Sequence, residues 1–162
     1  MNTNDLNQYS VNRQSGFTMV ELMIVLIILG VLSSIAVPTY FEHVRESRRA
    51  DATANISRVL GQQELFYGNN GSNYASSASQ LGYASGSLPA NTFDTEEGHY
   101  RIAMQDCAGG AIDDTDECIR LVATALSGSQ TKDANCQTFV IDSYGARSST
   151  KSGGSSSSGC WN

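Results

Sequence analysis

Residues 17–37, FTMVELMIVLIILGVLSSIAV, form a run apolar enough to cross a membrane, yet Glu21 is its fifth residue. As a helix the run is roughly 31 Å long at about 1.5 Å per residue, which matches a hydrocarbon core about 30 Å thick. A carboxylate there is expensive. Ionisable groups inside membrane spans mark function and require a partner, so the chain must supply Glu21 with a cation.

One membrane-length segment in 162 residues leaves roughly 120 for a folded part, enough for one modest domain. The formal net charge of −6 argues against a general nucleic-acid binder, which carries a basic surplus. Cys107, Cys118, Cys136 and Cys160 all lie downstream of the apolar run. An even count on one side of a membrane indicates two disulfides in an oxidising, extracytoplasmic compartment. Three pairings are open. The neighbours, Cys107 with Cys118 and Cys136 with Cys160, are favoured because each pair brackets a loop-like segment and the second would pin the tail. No C-x-x-C spacing and no nearby histidine supports a zinc site.

Residues 1–16 are polar and read as a leader outside the fold. In a secretory signal the small residues follow the apolar stretch; here Gly16 precedes it, and the signal-peptidase alternative would cut after Ser33 to Ala36. Past Pro38 the helical pattern continues to Gly68. Ala52, Ile56, Val59, Leu60, Gln63, Phe66 and Tyr67 recur at spacings of three and four, so residues 38–67 form an amphipathic helix that docks on something. Proline beside a span kinks a helix rather than ending it. Arg45, Arg48 and Arg49, offset by Glu42, Glu46 and Asp51, read as a solvated face. Three arginines beyond the span run against the positive-inside rule, and the cysteines are taken to set the topology.

From Gly68 to about Gly98 the chain reads as an irregular loop held by Tyr74, Leu81, Tyr83 and Phe93. Alternation then predicts strands in HYRIAMQD, CIRLVATAL and QTFVID. The closing SSTKSGGSSSSGCWN reads as a flexible, low-complexity loop ended by Cys160 and Trp161. The class is α+β, a long helix packed on an antiparallel sheet of about four strands, with a head over residues 68–162.

The string GFTMVELMIVLIILGVLSSIAVPTY resembles the N-terminal signature of type IV pilins and the related pseudopilins of type II secretion. The resemblance implies that a prepilin peptidase cuts between Gly16 and Phe17, that Phe17 is N-methylated, and that Glu21 is an assembly contact. Cleavage would create the missing cation, the α-amine of Phe17, one helical turn away or on a neighbouring subunit; pairing would offset most of the burial cost. The stretch TKDANCQTFVIDSYGARSS with the terminal CWN is similar to a minor-pilin group that includes DNA-uptake pilins. In that group a cysteine opening a strand pairs with one near the end. The implied partners are prepilin peptidase, other pilin subunits in a helical filament, the inner membrane before assembly, and DNA. The implied topology is a single pass with leader cytoplasmic and head periplasmic, followed by display on a cell-surface pilus. Two departures stand out: a longer, less basic leader, and Gly30, Ser33 and Ser34 within the span, where local unwinding on packing becomes easier.

Other chemistry is sparse. His43 and His99 read as surface residues, and no nucleophile, phosphate loop or carboxylate pair has a recognisable context, so neither an enzyme nor a cofactor is expected. Asp113, Asp114, Asp116 and Glu117 could hold calcium but lack EF-hand spacing and read as a solvated loop. Lys132, Arg147 and Lys151, around the second disulfide, are candidate DNA contacts, with Arg101 and Arg120 as further cations. The rivals to a pilus subunit are a type II secretion pseudopilin, a DNA receptor pilin, and a tethered enzyme. Mass spectrometry of the mature chain should find an N-methylated Phe17 at its start; an unmodified terminus near Val37 would exclude prepilin processing.

Overall fold

The computed structural model describes residues 16–113, 117–126, 128 and 130–161. The elements are α1 (Met19–Asn69), a short 3-10 turn (Ala78–Leu81), and five strands: β1 (Thr92–Asp94), β2 (Tyr100–Asp106), β3 (Ile119–Ala125), β4 (Thr138–Asp142) and β5 (Arg147–Thr150). Contacts divide the chain into two compact units, Met1–Thr39 and Tyr40–Asn162. The predicted leader falls on residues 1–15, outside the described residues, except for Gly16.

In the first unit the helix is apolar all round. Its large side chains from Phe17 to Val37 range in exposure from 47% at Val25 to 87% at Phe17, so nothing in the unit covers them. Pro38 lies inside the helix and does not end it. The Ser34 hydroxyl donates to the Val31 carbonyl (2.7 Å) and the Thr39 hydroxyl to that of Ile35 (3.0 Å), tying side chains back to the helix around the proline.

The second unit is a helix laid on a sheet. The strands form an antiparallel meander in chain order, β1-β2-β3-β4-β5. Alternation puts Tyr100, Ile102 and Met104 of β2, Ile119, Leu121 and Ala123 of β3, and Phe139 and Ile141 of β4 on the buried face. Register sets Met104 against Leu121 and Leu121 against Ile141, while the small Ala123 lies between Ile102 and Phe139. Ala52, Ile56, Val59 and Gln63, all fully buried, are the helix's contribution, at the spacing that brings one face inward. Gln63 is polar yet satisfied. Its amide exchanges two 2.9 Å bonds with the backbone of Ala75, pinning the irregular segment that follows α1.

Three expectations are corrected. The sheet has five strands rather than about four. β1 is only three residues long in a polar stretch, and β5, Arg-Ser-Ser-Thr, has no apolar residue to alternate. Both form because β2 and β4 offer unpaired edges. The closing segment is not a flexible loop: Thr150 bridges Ser156, Ser157 donates its amide to the Ser149 carbonyl (2.8 Å), and Lys151 donates to that of Ser155 (2.8 Å). The Trp161 indole donates to the Ser148 carbonyl (2.8 Å) and meets Phe139 edge-to-face.

Nor is the arginine cluster a uniformly solvated face. Arg45 pairs with Glu42, and Arg49 reaches Asp133, 84 residues away, through two bonds of 2.6 and 2.8 Å. The side chains of Arg49 and Asp133 are 18% and 1% exposed, so this pair belongs to the core. Asp133 also accepts the amides of Asn135 (3.0 Å) and Cys136 (3.1 Å). Burial alone would raise the Asp133 carboxyl; the Arg49 guanidinium and these amides outweigh it and hold the group below the usual carboxylate range. The same bond raises Arg49. Beside them Gln130 donates to the Tyr100 hydroxyl (2.6 Å), whose ionisation is pushed up first by burial and then by the Asp133 charge.

Replacing Arg49 by Met strands a buried carboxylate and should cost about 3 kcal/mol of head stability in urea unfolding. The lowered Asp133 value fixes the sign with pH. Its stabilisation is full above the ordinary carboxylate range and is lost as pH falls through the lowered value. Asp133→Asn should therefore give a shallower acid-side decline in urea midpoint than the parent.

Candidate functional site

Two regions carry functional groups. At the start of α1, Gly16, Phe17 and Thr18 precede the first helical turn and are exposed, with open space where a Gly16 side chain would lie. The Glu21 amide donates to the Thr18 hydroxyl (3.2 Å) and the Leu22 amide to the Thr18 carbonyl (3.2 Å), so Thr18 is the N-cap. Thr18-x-x-Glu21 is the pattern of a capping box, and Glu21 occupies the turn where the helix dipole favours a negative charge. This fixes the backbone of Glu21 in the first turn of α1. Thr18 escaped the sequence reading, although T-x-x-E before an apolar run was the signal for it.

The second region is the end of the head around β5. Two disulfides are present, Cys107–Cys118 and Cys136–Cys160, with Cα separations of 5.6 and 5.8 Å. The second ties the start of β4 to the closing segment. Gln137 lies next to it: its amide donates to the Thr150 carbonyl (2.9 Å) and its side chain to the Thr131 carbonyl (2.5 Å). Lys132 and Lys151 are thereby brought to the same end of the sheet, both exposed. Arg147 stands at the other end of β5, its guanidinium 5.2 Å from the Trp161 ring centre. The tight β4–β5 turn, with Gly145 in the left-handed region at φ 83°, presents Tyr144 at 76% exposure. Neither Tyr144 nor the Arg147–Trp161 stack was predicted; three isolated polar and aromatic positions in a serine-rich sequence carried no periodic signal.

The remaining candidate cations are engaged elsewhere. Arg101 forms a two-point pair with Asp94 (2.7 and 3.1 Å) and Arg120 binds the Gln105 side chain (3.0 Å) beneath Gly109. Of the acidic loop, Asp114 and Asp116 lie outside the described residues. Among the described residues no group of three or more His, Cys, Asp or Glu side chains is placed to hold a metal ion. His43 is exposed beside Glu46 (3.8 Å), and His99 is half-buried.

An apolar helix capped beside a carboxylate, leading by continuous chain into a disulfide-bonded antiparallel sheet, defines a pilin-type subunit. Comparison with known proteins carries this further. Residues 11–37 match the prokaryotic N-terminal methylation motif, and residues 38–140 match the family described as type IV minor pilin ComP, DNA uptake sequence receptor. The chain belongs to that type IV minor pilin family.

Among similar proteins are the type IV major pilin protein PilA of Myxococcus xanthus and the type II secretion system core protein G of Dickeya chrysanthemi. The first is 33% identical over 72 residues, covering 44% of this chain and 32% of the relative. The second is 34% identical over 70 residues, covering 43% and 45%. The chain thus spans a third to under half of the length of these curated relatives. A solved type IV pilin from Shewanella oneidensis matches at 20% identity and a TM-score of 0.42, over 64% of this chain and 89% of that one.

Replacing Cys136 and Cys160 together by Ser opens a loop whose ends are 24 residues apart and should cost about 3 kcal/mol. Trp161 should then become more accessible to iodide quenching, while far-ultraviolet dichroism keeps its sheet signal.

Proposed function

We propose that this chain is a non-enzymatic structural subunit, a minor pilin, of a type IV pilus. Prepilin peptidase would cut between Gly16 and Phe17, Phe17 would be N-methylated, and the subunit would wait in the inner membrane with its head periplasmic. Assembly would then move residues 17–37 from lipid into the filament core. The observation that carries this reading is the pairing of a methylation motif with a minor-pilin head on one chain, together with a helix whose apolar side chains are exposed among the described residues of the first unit.

Packing is the mechanism. The Glu21 carboxylate, on a residue whose backbone amide donates to the Thr18 cap at the beginning of α1, would meet the terminal amine made by cleavage on its own or a neighbouring subunit. An unpaired carboxylate or ammonium in the apolar bundle is penalised, so only the matched register is stable. The head would be displayed outside, where Lys132, Arg147 and Lys151 form its candidate contact with DNA. The family's description as a DNA uptake sequence receptor favours that task over adhesion alone. A type II secretion pseudopilin shares the N-terminal chemistry and is the alternative kept open by core protein G.

Glu21→Ala should leave membrane insertion and leader cleavage intact while lowering the amount of subunit in sheared filaments by on the order of tenfold, the cost of leaving a terminal ammonium unpaired. Parent-level incorporation of the variant would remove Glu21 from assembly.

A further inference from the structure

We infer that Asn70 is a site of spontaneous covalent modification: in the folded head the Asn70–Gly71 pair converts to aspartate and isoaspartate, and the conversion loosens the end of α1. Asn70 is the one asparagine in the chain that a glycine follows. Deamidation begins when the backbone nitrogen of the next residue attacks the side-chain carbonyl carbon of asparagine, and a side chain on that next residue stands in the way. Gly71 has none, and no atom from elsewhere in the head lies within 4 Å of where its Cβ would be. Both residues are exposed to water.

The nucleophile is also free. Helix α1 ends at Asn69, and the turn that closes it spends the Ser72 amide on the Tyr67 carbonyl (3.1 Å). Among the described residues the Gly71 amide has no backbone acceptor. Gly71 and Ser72 both lie in the left-handed region, at φ 67° and 65°. That conformation suits glycine and is uncommon for serine, so little besides one hydrogen bond holds the turn. Exposed helix ends of this kind open at small free-energy cost, which lets the pair reach the geometry of attack.

The step balances with water as its only co-reactant. A bond forms between the Gly71 nitrogen and Cγ of Asn70, the Cγ–Nδ2 bond breaks, and the Gly71 amide proton departs with Nδ2 as ammonia. Water then opens the succinimide on either side. Opening at Cγ gives aspartate; opening at the main-chain carbonyl gives isoaspartate, with the side-chain carbon inserted into the backbone.

The nitrogen that leaves is part of the helix cap. Asn70 Nδ2 donates to the Phe66 carbonyl (2.8 Å) in the last turn of α1. After conversion a carboxylate stands against that carbonyl, at the negative end of the helix dipole, and the last turn has no basic residue to meet it. In the iso form the lengthened backbone also shifts Ser72 away from Tyr67. The Tyr67 and Tyr74 rings, with centres 4.5 Å apart, loosen with the turn. The effect stops there, because Gln63 holds Ala75 by two 2.9 Å bonds deeper in the head.

The test ages the full chain in detergent micelles in warm, mildly alkaline buffer and follows it by peptide mass mapping, with isoaspartate scored by a methyltransferase specific for it. Asn70 should convert ahead of Asn55, Asn73, Asn91 and Asn135, and within about tenfold of its rate in the urea-unfolded chain, because the helix end opens at little cost. Asn70→Gln, which must close a larger ring and leaves the backbone unstrained, should stay unmodified over the same interval. Asn70→Asp supplies the product directly. It should speed amide hydrogen exchange across residues 66–69 by about fivefold, through the lost cap and the dipole, and leave the urea midpoint of the head unchanged. Asn70 intact in the aged folded chain overturns the inference, as does conversion more than about tenfold slower than in urea, since the Phe66 bond would then be protecting the amide. An Asp variant whose last turn exchanges at the parent rate overturns the loosening.

Discussion

The buried pair between Arg49 and Asp133 joins α1 to the segment before β4, across 84 positions of sequence. The Asp133 carboxylate accepts from the guanidinium, from the amides of Asn135 and Cys136 and from the Gln130 side chain, and so shapes the turn from which β4 starts. Cys136 then carries Cys160, Cys160 carries Trp161, and Trp161 carries Arg147. A single ion pair on the helix is therefore the first link in a series that ends at the positively charged edge of the head. Its cost in desolvation is offset by the number of donors that converge on one buried group. The nearby Tyr100–Gln130 bond extends the same polar seam across the sheet.

The two units solve opposite problems. The head buries its own apolar surface: Ile56, Val59, Ile102, Leu121 and Phe139 close a core in which alternating strands and one helix face agree. The first unit does nothing of the kind, leaving a ring of leucine, isoleucine and valine open on every side. Such a surface needs either lipid or other helices, and the proposed storage in a membrane followed by filament assembly would supply each in turn. Thr18 and Glu21 make the start of α1 a defined object in that surface, with the helix dipole, the cap and a carboxylate concentrated in one turn.

Charge is distributed with a comparable division. Carboxylates outnumber cations in the chain, and those in reach neutralise the arginines of the helix and of β2. The closing segment escapes because it contains no acid at all. Its serines and glycines, which look like a linker by composition, instead complete β5 and bond to it, with Arg147 and Lys151 at its ends.

The apolar run, the glutamate within it, the amphipathic spacing of residues 52–67 and the three long strands were legible in the sequence because each is a local periodicity or a local anomaly. The class of protein followed from the same residues, since a carboxylate five positions after a glycine needs no partner from afar to be recognised. Strands β1 and β5 were not legible: one is too short and the other too polar to alternate, and each exists only because a neighbour left its edge unpaired. The Arg49–Asp133 pair spans 84 positions and the Trp161–Arg147 stack depends on a disulfide, so only the tertiary structure could decide which arginine is buried and which is exposed. Local pattern determines which elements form; long-range pairing determines which charges remain free.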